Sequence, residues 1–282
     1  MNNAYGSNTV SETYSRGLTK RAVEDIESNS QIFKKILSQE FYKLPCNSKS
    51  HIRKIKRIKA SYNKNNILNF KACESNNFLN KDSLYWLSPT SYYQGNQPKN
   101  NNAIGLSIYE TSLKLEKNLH KIKSYGYIPK LNVSYHCLKR YYQRASWTEL
   151  EEVYEVVKKI FTFALCMSEM ITSFDDQILF DDNYQSKMLL IPHNEDLFLG
   201  NIKFINIKDG LTSKNIKSLY FDCRTFISAY QLKQDQKDIR DEFTALVNPC
   251  HIRGIKSNSK GIAKFFDLVD SQKYKQSFEM FC

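Results

Sequence analysis

His136, Arg140 and Arg144 stand four residues apart in the stretch Ser134-Tyr-His-Cys-Leu-Lys-Arg-Tyr-Tyr-Gln-Arg144. On a helix, at about 100° per residue, the three side chains fall within roughly 80° of one another. Lys139 and Gln143 lie beside them, while Cys137, Leu138, Tyr141 and Tyr142 face the other way. Each four-residue step rises about 6 Å. That is close to the step between successive phosphates on a single nucleic-acid strand, so two guanidinium groups can each grip a phosphate bidentately. His136 sits near the helix start, where the dipole disfavours its protonated form. A neutral imidazole beside two cations can act as a general base, or as an acid once a phosphate raises its pKa. The same residues also fit a plainer role, a histidine that satisfies the start of its helix and two solvated arginines.

Two further groups carry charge that a phosphate would meet. Arg224, in Cys223-Arg-Thr-Phe-Ile227, falls on a predicted strand and completes an anion pocket if that strand faces the His136 helix; Thr225 then points to the opposite face. Upstream, Arg53, Lys54, Lys56, Arg57 and Lys59 interleave with Ile52, Ile55 and Ile58. The isoleucines recur every three residues, which predicts a short amphipathic helix. Its cations suit a phosphate backbone, an anionic membrane surface or an acidic protein. Tyr85, Trp86, Tyr92 and Tyr93 follow and offer rings for base stacking.

Metal and nucleophile chemistry find less support. Asp175-Asp176 and Asp181-Asp182 could share Mg²⁺, but no third ligand stands at a telling spacing and a loop is the expected role. The cysteines, at positions 46, 73, 137, 166, 223, 250 and 282, form no CxxC pair and no zinc spacing. No metal and no cofactor is expected. The nine glycines include no phosphate-cradling loop, which disfavours a nucleotide motor or a dinucleotide enzyme.

The net charge of +12 over 282 residues is uneven. Residues 1–150 hold 24 Lys and Arg against 10 Asp and Glu, a balance of +14; residues 151–200 hold 3 against 10, a balance of −7; residues 201–282 hold 14 against 9, a balance of +5. A basic half beside an acidic segment suits contact with nucleic acid or an acidic surface. The odd cysteine count points to reduced thiols in an intracellular compartment. The polar N-terminus lacks the apolar core of a secretory signal, and the run Ile160–Met167 is too short to cross a bilayer. A cytoplasmic protein with no integral membrane segment is expected.

The elements that must position these residues follow from periodicity. Ser11 to about Lys43 predicts a helix, with Val23, Ile26, Ile32, Phe33 and Ile36 near helical spacing. The polar run 94–102 predicts an exposed loop and the main domain boundary. Ile104–Leu115 and Lys130–Val133 predict strands. Ser146 and Glu149 have the form of a capping box, and a long helix follows with Leu150, Val153, Val157, Ile160, Phe161 and Ala164 on one stripe. Met188–Ile191 and Leu197–Ile207 predict a β-hairpin, Ser218–Leu232 a further strand, and Ile262–Phe281 a final helix. The whole predicts an α+β fold, an antiparallel sheet with helices on one face, after a mainly helical N-terminal region. The expected divisions are 1–95, 103–245 and 246–282.

At the His136 helix the chain resembles small domains related to the BrnT and RelE toxins and uncharacterised mobile-element proteins. There a strand leads into Ser-x-His-Ala-x-x-Arg with a second Arg a turn later. Pro192…Phe198-Leu-Gly200 and Cys223-Arg-Thr-Phe-Ile227 resemble their strands, and the resemblance spans about 104–235. Cys137 stands where those domains have Ala. The resemblance implies metal-independent ribonuclease chemistry of toxin or phage-defence type. The expected partner is nucleic acid, RNA before DNA, or an acidic protein. Two other classes remain: a non-enzymatic inhibitor from a phage or mobile element, acting through its basic surface, and a secreted bacterial effector.

Overall fold

A computed structural model describes residues 11–41, 48–61, 83–91, 104–116, 119–124, 131–145, 151–172, 187–208, 215–247 and 276–278. The chain divides into two units, one of residues 20–132 and one of residues 1–19 with 133–282. The fold is α+β.

The unit of residues 20–132 holds most of helix α1 (Glu12–Phe41), helix α2 (Ser48–Ser61) and strands β1 (Ser83–Ser91), β2 (Ile104–Glu116) and β3 (Leu119–Ser124). β2 pairs antiparallel with β1 and with β3. Phe33 and Leu37 of α1, Ile55 and Ile58 of α2, and Leu84 and Trp86 of β1 form one buried cluster. Burying side chains of this size stabilises by about 1.5–3 kcal/mol each. The stripe that packs repeats every three to four residues, as 3.6 residues per turn requires. In α1 it runs through Val23, Ile26, Ser30, Phe33 and Leu37 and leaves Ile32 53% exposed. In α2 it runs through His51, Lys54, Ile55 and Ile58 and leaves Ile52 53% exposed. A strict three-residue repeat drifts round a helix, so the three isoleucines do not share one face.

The polar run 94–102 lies outside the described residues, but the strands that flank it pair in register from Ser83↔Ser112 to Ser91↔Ile104. The run therefore joins two partners of one hairpin, and the division of the chain falls at 132/133 rather than there. Composition marks exposure. It does not separate a hairpin connection from a linker.

The other unit carries the end of β4 (Leu131–Ser134), α3 (Tyr135–Arg144), α4 (Val153–Thr172), β5 (Lys187–His193), β6 (Asp196–Lys208), β7 (Asn215–Ile227) and α5 (Gln234–Val247). Its strands run in the order β4-β7-β6-β5, and β6 is antiparallel to both β5 and β7. The β5–β6 turn is two residues long, and Asn194 takes a φ of 54° there, a conformation asparagine tolerates better than most residues. Between Leu199 and Gly200 the register with β7 shifts, leaving Arg224 opposite no residue. A Cβ at Gly200 would stand 2.3 Å from the Asp222 carbonyl oxygen and 2.9 Å from the Cys223 Cα, so only glycine fits this close approach.

α4 buries Val153, Val157, Ile160, Phe161 and Ala164 of the expected stripe, and Val156 beside them. Its start lies at Val153; Ser146, Glu149 and Leu150 are outside the described residues. α5, which periodicity did not single out, packs Phe243 on Phe163 of α4 with ring centroids 6.2 Å apart. Ile239 and Phe243, four residues apart and both buried, were its available signal. Gln236 Nε2 donates to the Ser277 carbonyl at 2.6 Å, and Ser277 Oγ donates to Asp235 at 2.7 Å. Of the predicted final helix only residues 276–278 are described, and they are helical.

Candidate nucleic-acid interface

Helix α3 begins where a serine stops a strand. Ser134 ends β4 with extended backbone, and its Oγ accepts from the Cys137 N–H at 3.0 Å, which satisfies one of the amides left open at a helix start. The same hydroxyl donates to the Arg224 carbonyl at 2.9 Å, tying the helix start to β7. One turn on, Cys137 Sγ lies 3.9 Å from Cys223 Sγ; both thiols are free and buried. Desolvation, with Cys223 as neighbour, pushes the Cys137 thiol well above its ordinary pKa. Both therefore act as small core residues.

Tyr141 anchors the far half of α3. It is 1% exposed, and its ring stands edge-on to Phe226 at 5.3 Å and to His193 at 5.8 Å, with Phe198 at 6.0 Å. Its hydroxyl accepts from the Glu151 N–H at 2.9 Å. Burial of this apolar face leaves the cations on the opposite one, as the sequence spacing requires.

On that face His136 is exposed, and Arg140 and Arg144 are partly exposed. Arg140 Nε donates to His136 Nε2 at 3.5 Å. Desolvation by the surrounding protein, then the charges of Arg140, Lys139 and Arg144, hold the His136 imidazole below its ordinary pKa. It is therefore a neutral acceptor at pH 7, as its place near the helix start suggested. Arg144 Nη1 donates to the Phe226 carbonyl at 3.3 Å. Lys139 pairs with Glu12 at 3.1 Å, and Glu12 also holds Arg16 at 2.8 Å. Tyr135 OH donates to the Arg16 carbonyl at 3.3 Å. Glu12, far away in sequence, thus neutralises one cation of the face, and no local pattern announced it.

Arg224 is placed differently from expectation. Its Nε donates to Asp222 at 3.1 Å, on the same strand two residues back, while Cys223 between them meets Cys137 of α3. Alternate residues of a strand face opposite ways, so the Arg224 guanidinium is turned from α3. Its backbone carbonyl, not its charge, meets the helix. Arg224 does not join His136.

In the unit of residues 20–132, Arg53, Lys56 and Arg57 are exposed on α2, whereas Lys54 is 2% exposed and belongs to the packed stripe. Nothing is described of the Lys59 side chain. Tyr85 and Trp86 are core residues, 4% and 7% exposed. Trp86 stacks on Tyr109 at 4.9 Å and donates to Thr111 Oγ1 at 2.9 Å, and Tyr85 OH donates to Glu110 at 3.1 Å. Neither ring is open to a base. Tyr92, Tyr93 and the aspartates at 175, 176, 181 and 182 lie outside the described residues. Among the described residues no three His, Cys, Asp or Glu side chains gather as a metal site, and no helix is long and apolar enough to cross a membrane.

His193 is the titratable residue that sequence reading passed over. It is 4% exposed, and burial pushes its imidazole down to about 4, against an opposing pull from Glu151. No local signal separates it from a surface histidine at the end of a strand. Comparison of the chain with protein-family models, with curated proteins and with solved structures finds no match.

Proposed function

We propose that this chain binds nucleic acid, RNA in preference to DNA, through the cationic face of α3. The observation that carries the reading is the grouping of His136, Arg140 and Arg144 on one face, with Arg140 turned onto His136 and Arg144 braced by a backbone carbonyl. Phosphates along one strand would meet Arg140 and Arg144 in succession. The exposed Arg53, Lys56 and Arg57 of α2 add sequence-independent attraction. On this reading His136 is also the acid–base group of a metal-independent cleavage. As Arg140 leaves His136 Nε2 for the phosphate, that nitrogen takes the proton of an attacking 2′-hydroxyl. The 2′-oxygen bonds to phosphorus while the P–O5′ bond breaks, the departing 5′-oxygen takes a proton from water, and the two guanidinium groups stabilise the charge gathering on the phosphate.

A second reading, binding without cleavage, is favoured by one finding. Arg224 is held by Asp222 and supplies no third cation to the face. The two readings part on His136→Ala. Cleavage of labelled single-stranded RNA that is lost in this variant, with binding and melting temperature retained, supports the enzyme. RNA that stays intact with the wild-type protein at saturating concentration leaves the binding reading. Wild-type protein that is not retained on RNA or heparin at low salt removes both.

A further inference from the structure

Tyr230 is 55% exposed, although the turn that carries it is hydrogen-bonded on both sides of the ring. It sits in the middle of the 3-10 turn Ala229–Gln231. The Ala229 N–H donates to Asp196 Oδ1 at 2.8 Å, and Asp196 is itself buried. Ser228, 2% exposed, donates through Oγ to Gln231 Oε1 at 3.1 Å, and the Gln231 N–H returns to the Ser228 carbonyl at 2.8 Å. Leu232, just beyond, is buried. A flexible loop hides or exposes an aromatic ring at little cost. Here the backbone on both sides is pinned, and the ring is held out in water.

The turn lies beside the end of α3. Arg144 Nη1 is bonded to the carbonyl of Phe226, four residues before Tyr230 in the chain. A cation that can take a phosphate and a ring that can take a base thus stand together at one end of the face. His136 and Arg140 continue that face along the helix.

We propose that Tyr230 is a base-stacking residue, and that the ligand of the α3 face is a single strand whose base lies on Tyr230 while its phosphates lie on Arg144 and Arg140. The inference rests on the nucleic-acid reading above and adds the substrate class. In a duplex the bases are stacked on each other and paired, so a protruding ring has no open base face to meet. In a single strand every base offers one, whatever its identity. Tyr230 therefore adds affinity for unpaired strands without reading sequence.

The test uses three probes on the full-length protein: a fluorescent oligouridylate, an RNA duplex of the same length, and heparin, which has the charge but no bases. Tyr230→Ala should weaken oligouridylate binding about tenfold or more, the scale of one lost stacking contact. It should leave heparin retention, duplex binding and the salt slope unchanged, because no charge is removed. Tyr230→Phe should bind oligouridylate like the wild type. Arg144→Ala should instead weaken all three probes and flatten the salt dependence. If Tyr230→Ala binds oligouridylate as the wild type does, or loses heparin to the same degree, the stacking role is overturned while nucleic-acid binding stands. A wild-type protein that binds none of the probes overturns the nucleic-acid reading itself, and this inference with it.

Discussion

α3 and α2 are both short and both cationic, and they hold their charge in different ways. On α3 each cation has a defined position: Arg140 on His136, Arg144 on the Phe226 carbonyl, Lys139 on Glu12. The helix beneath is fixed by Ser134 at one end and Tyr141 at the other. On α2 the exposed cations, Arg53, Lys56 and Arg57, project from a helix whose buried stripe takes in a fourth, Lys54. Positioned groups lose less freedom when a ligand arrives, so they can recognise geometry. Cations that stand well out in water act chiefly through a field that salt screens within about 10 Å at 0.1 M. The number of lysines and arginines in a segment therefore says little about whether it attracts a polyanion or recognises one.

The comparison breaks first if α3 loses its anchor. Tyr141→Ala should cost about 3–5 kcal/mol of stability, the usual range for emptying a large buried aromatic site, as read by urea denaturation. Any folded fraction should retain RNA no better than a protein with Arg140 and Arg144 both removed. A loss below about 1 kcal/mol would mean that Tyr141 does not hold the helix.

The next effect concerns acid. The His193 pKa falls from 6.5 to about 4 on folding, so between those values the unfolded chain binds more protons than the folded one. The contribution is present in full above pH 6.5 and is lost as pH falls toward 4. By linkage it amounts to about 3 kcal/mol. Melts from pH 7 to pH 4 should show a steep decline that is shallower in His193→Gln. Parallel curves for the two proteins would assign the decline to other groups.

A smaller difference separates the two helices in binding. Arg140→Ala should weaken oligouridylate binding by about 1.5–3 kcal/mol, the worth of a charged hydrogen bond, and part of that loss should persist in high salt. Joint replacement of Arg53, Lys56 and Arg57 by Glu should act mainly at low salt and reduce the salt slope. If the α2 variant loses more than Arg140→Ala at high salt, the roles of the helices are reversed.

The smallest expected change is at the helix start. Ser134→Ala removes the cap to Cys137 N–H and the bond to the Arg224 carbonyl and should cost about 0.5–2 kcal/mol. Ser134→Asp should recover the cap but not the second bond, because a carboxylate cannot donate to a carbonyl. Recovery of the full stability would show that the tie to β7 contributes nothing.

His136 sharpens the same contrast by its sign. Its pKa is held below the ordinary value in the free protein, and a bound phosphate would raise it, so binding should take up protons. RNA affinity should then rise as pH falls below neutrality, and His136→Ala should flatten the trend. α2 offers no comparable group on its exposed cationic positions, and heparin held there should show no such dependence.

The sequence alone determined what is local. The stretch from Ser134 to Arg144 read as a helix after a strand, the spacing of His136, Arg140 and Arg144 placed them on one face, and the strand-like runs on either side of a polar turn marked the β5–β6 hairpin. These follow from backbone geometry and need no distant partner. Tertiary structure alone decided which charges are available. Lys54 is buried because Ile55 and Ile58 dock, Arg224 is turned away because Cys223 takes the α3 side, and Lys139 is neutralised by Glu12. Tyr85 and Trp86 were legible as aromatic but not as core, and Tyr230 was not legible as exposed. Exposure is a property of what lies opposite a side chain, and that is supplied by residues remote in sequence. Periodicity describes how a segment is shaped. Only packing describes what it faces.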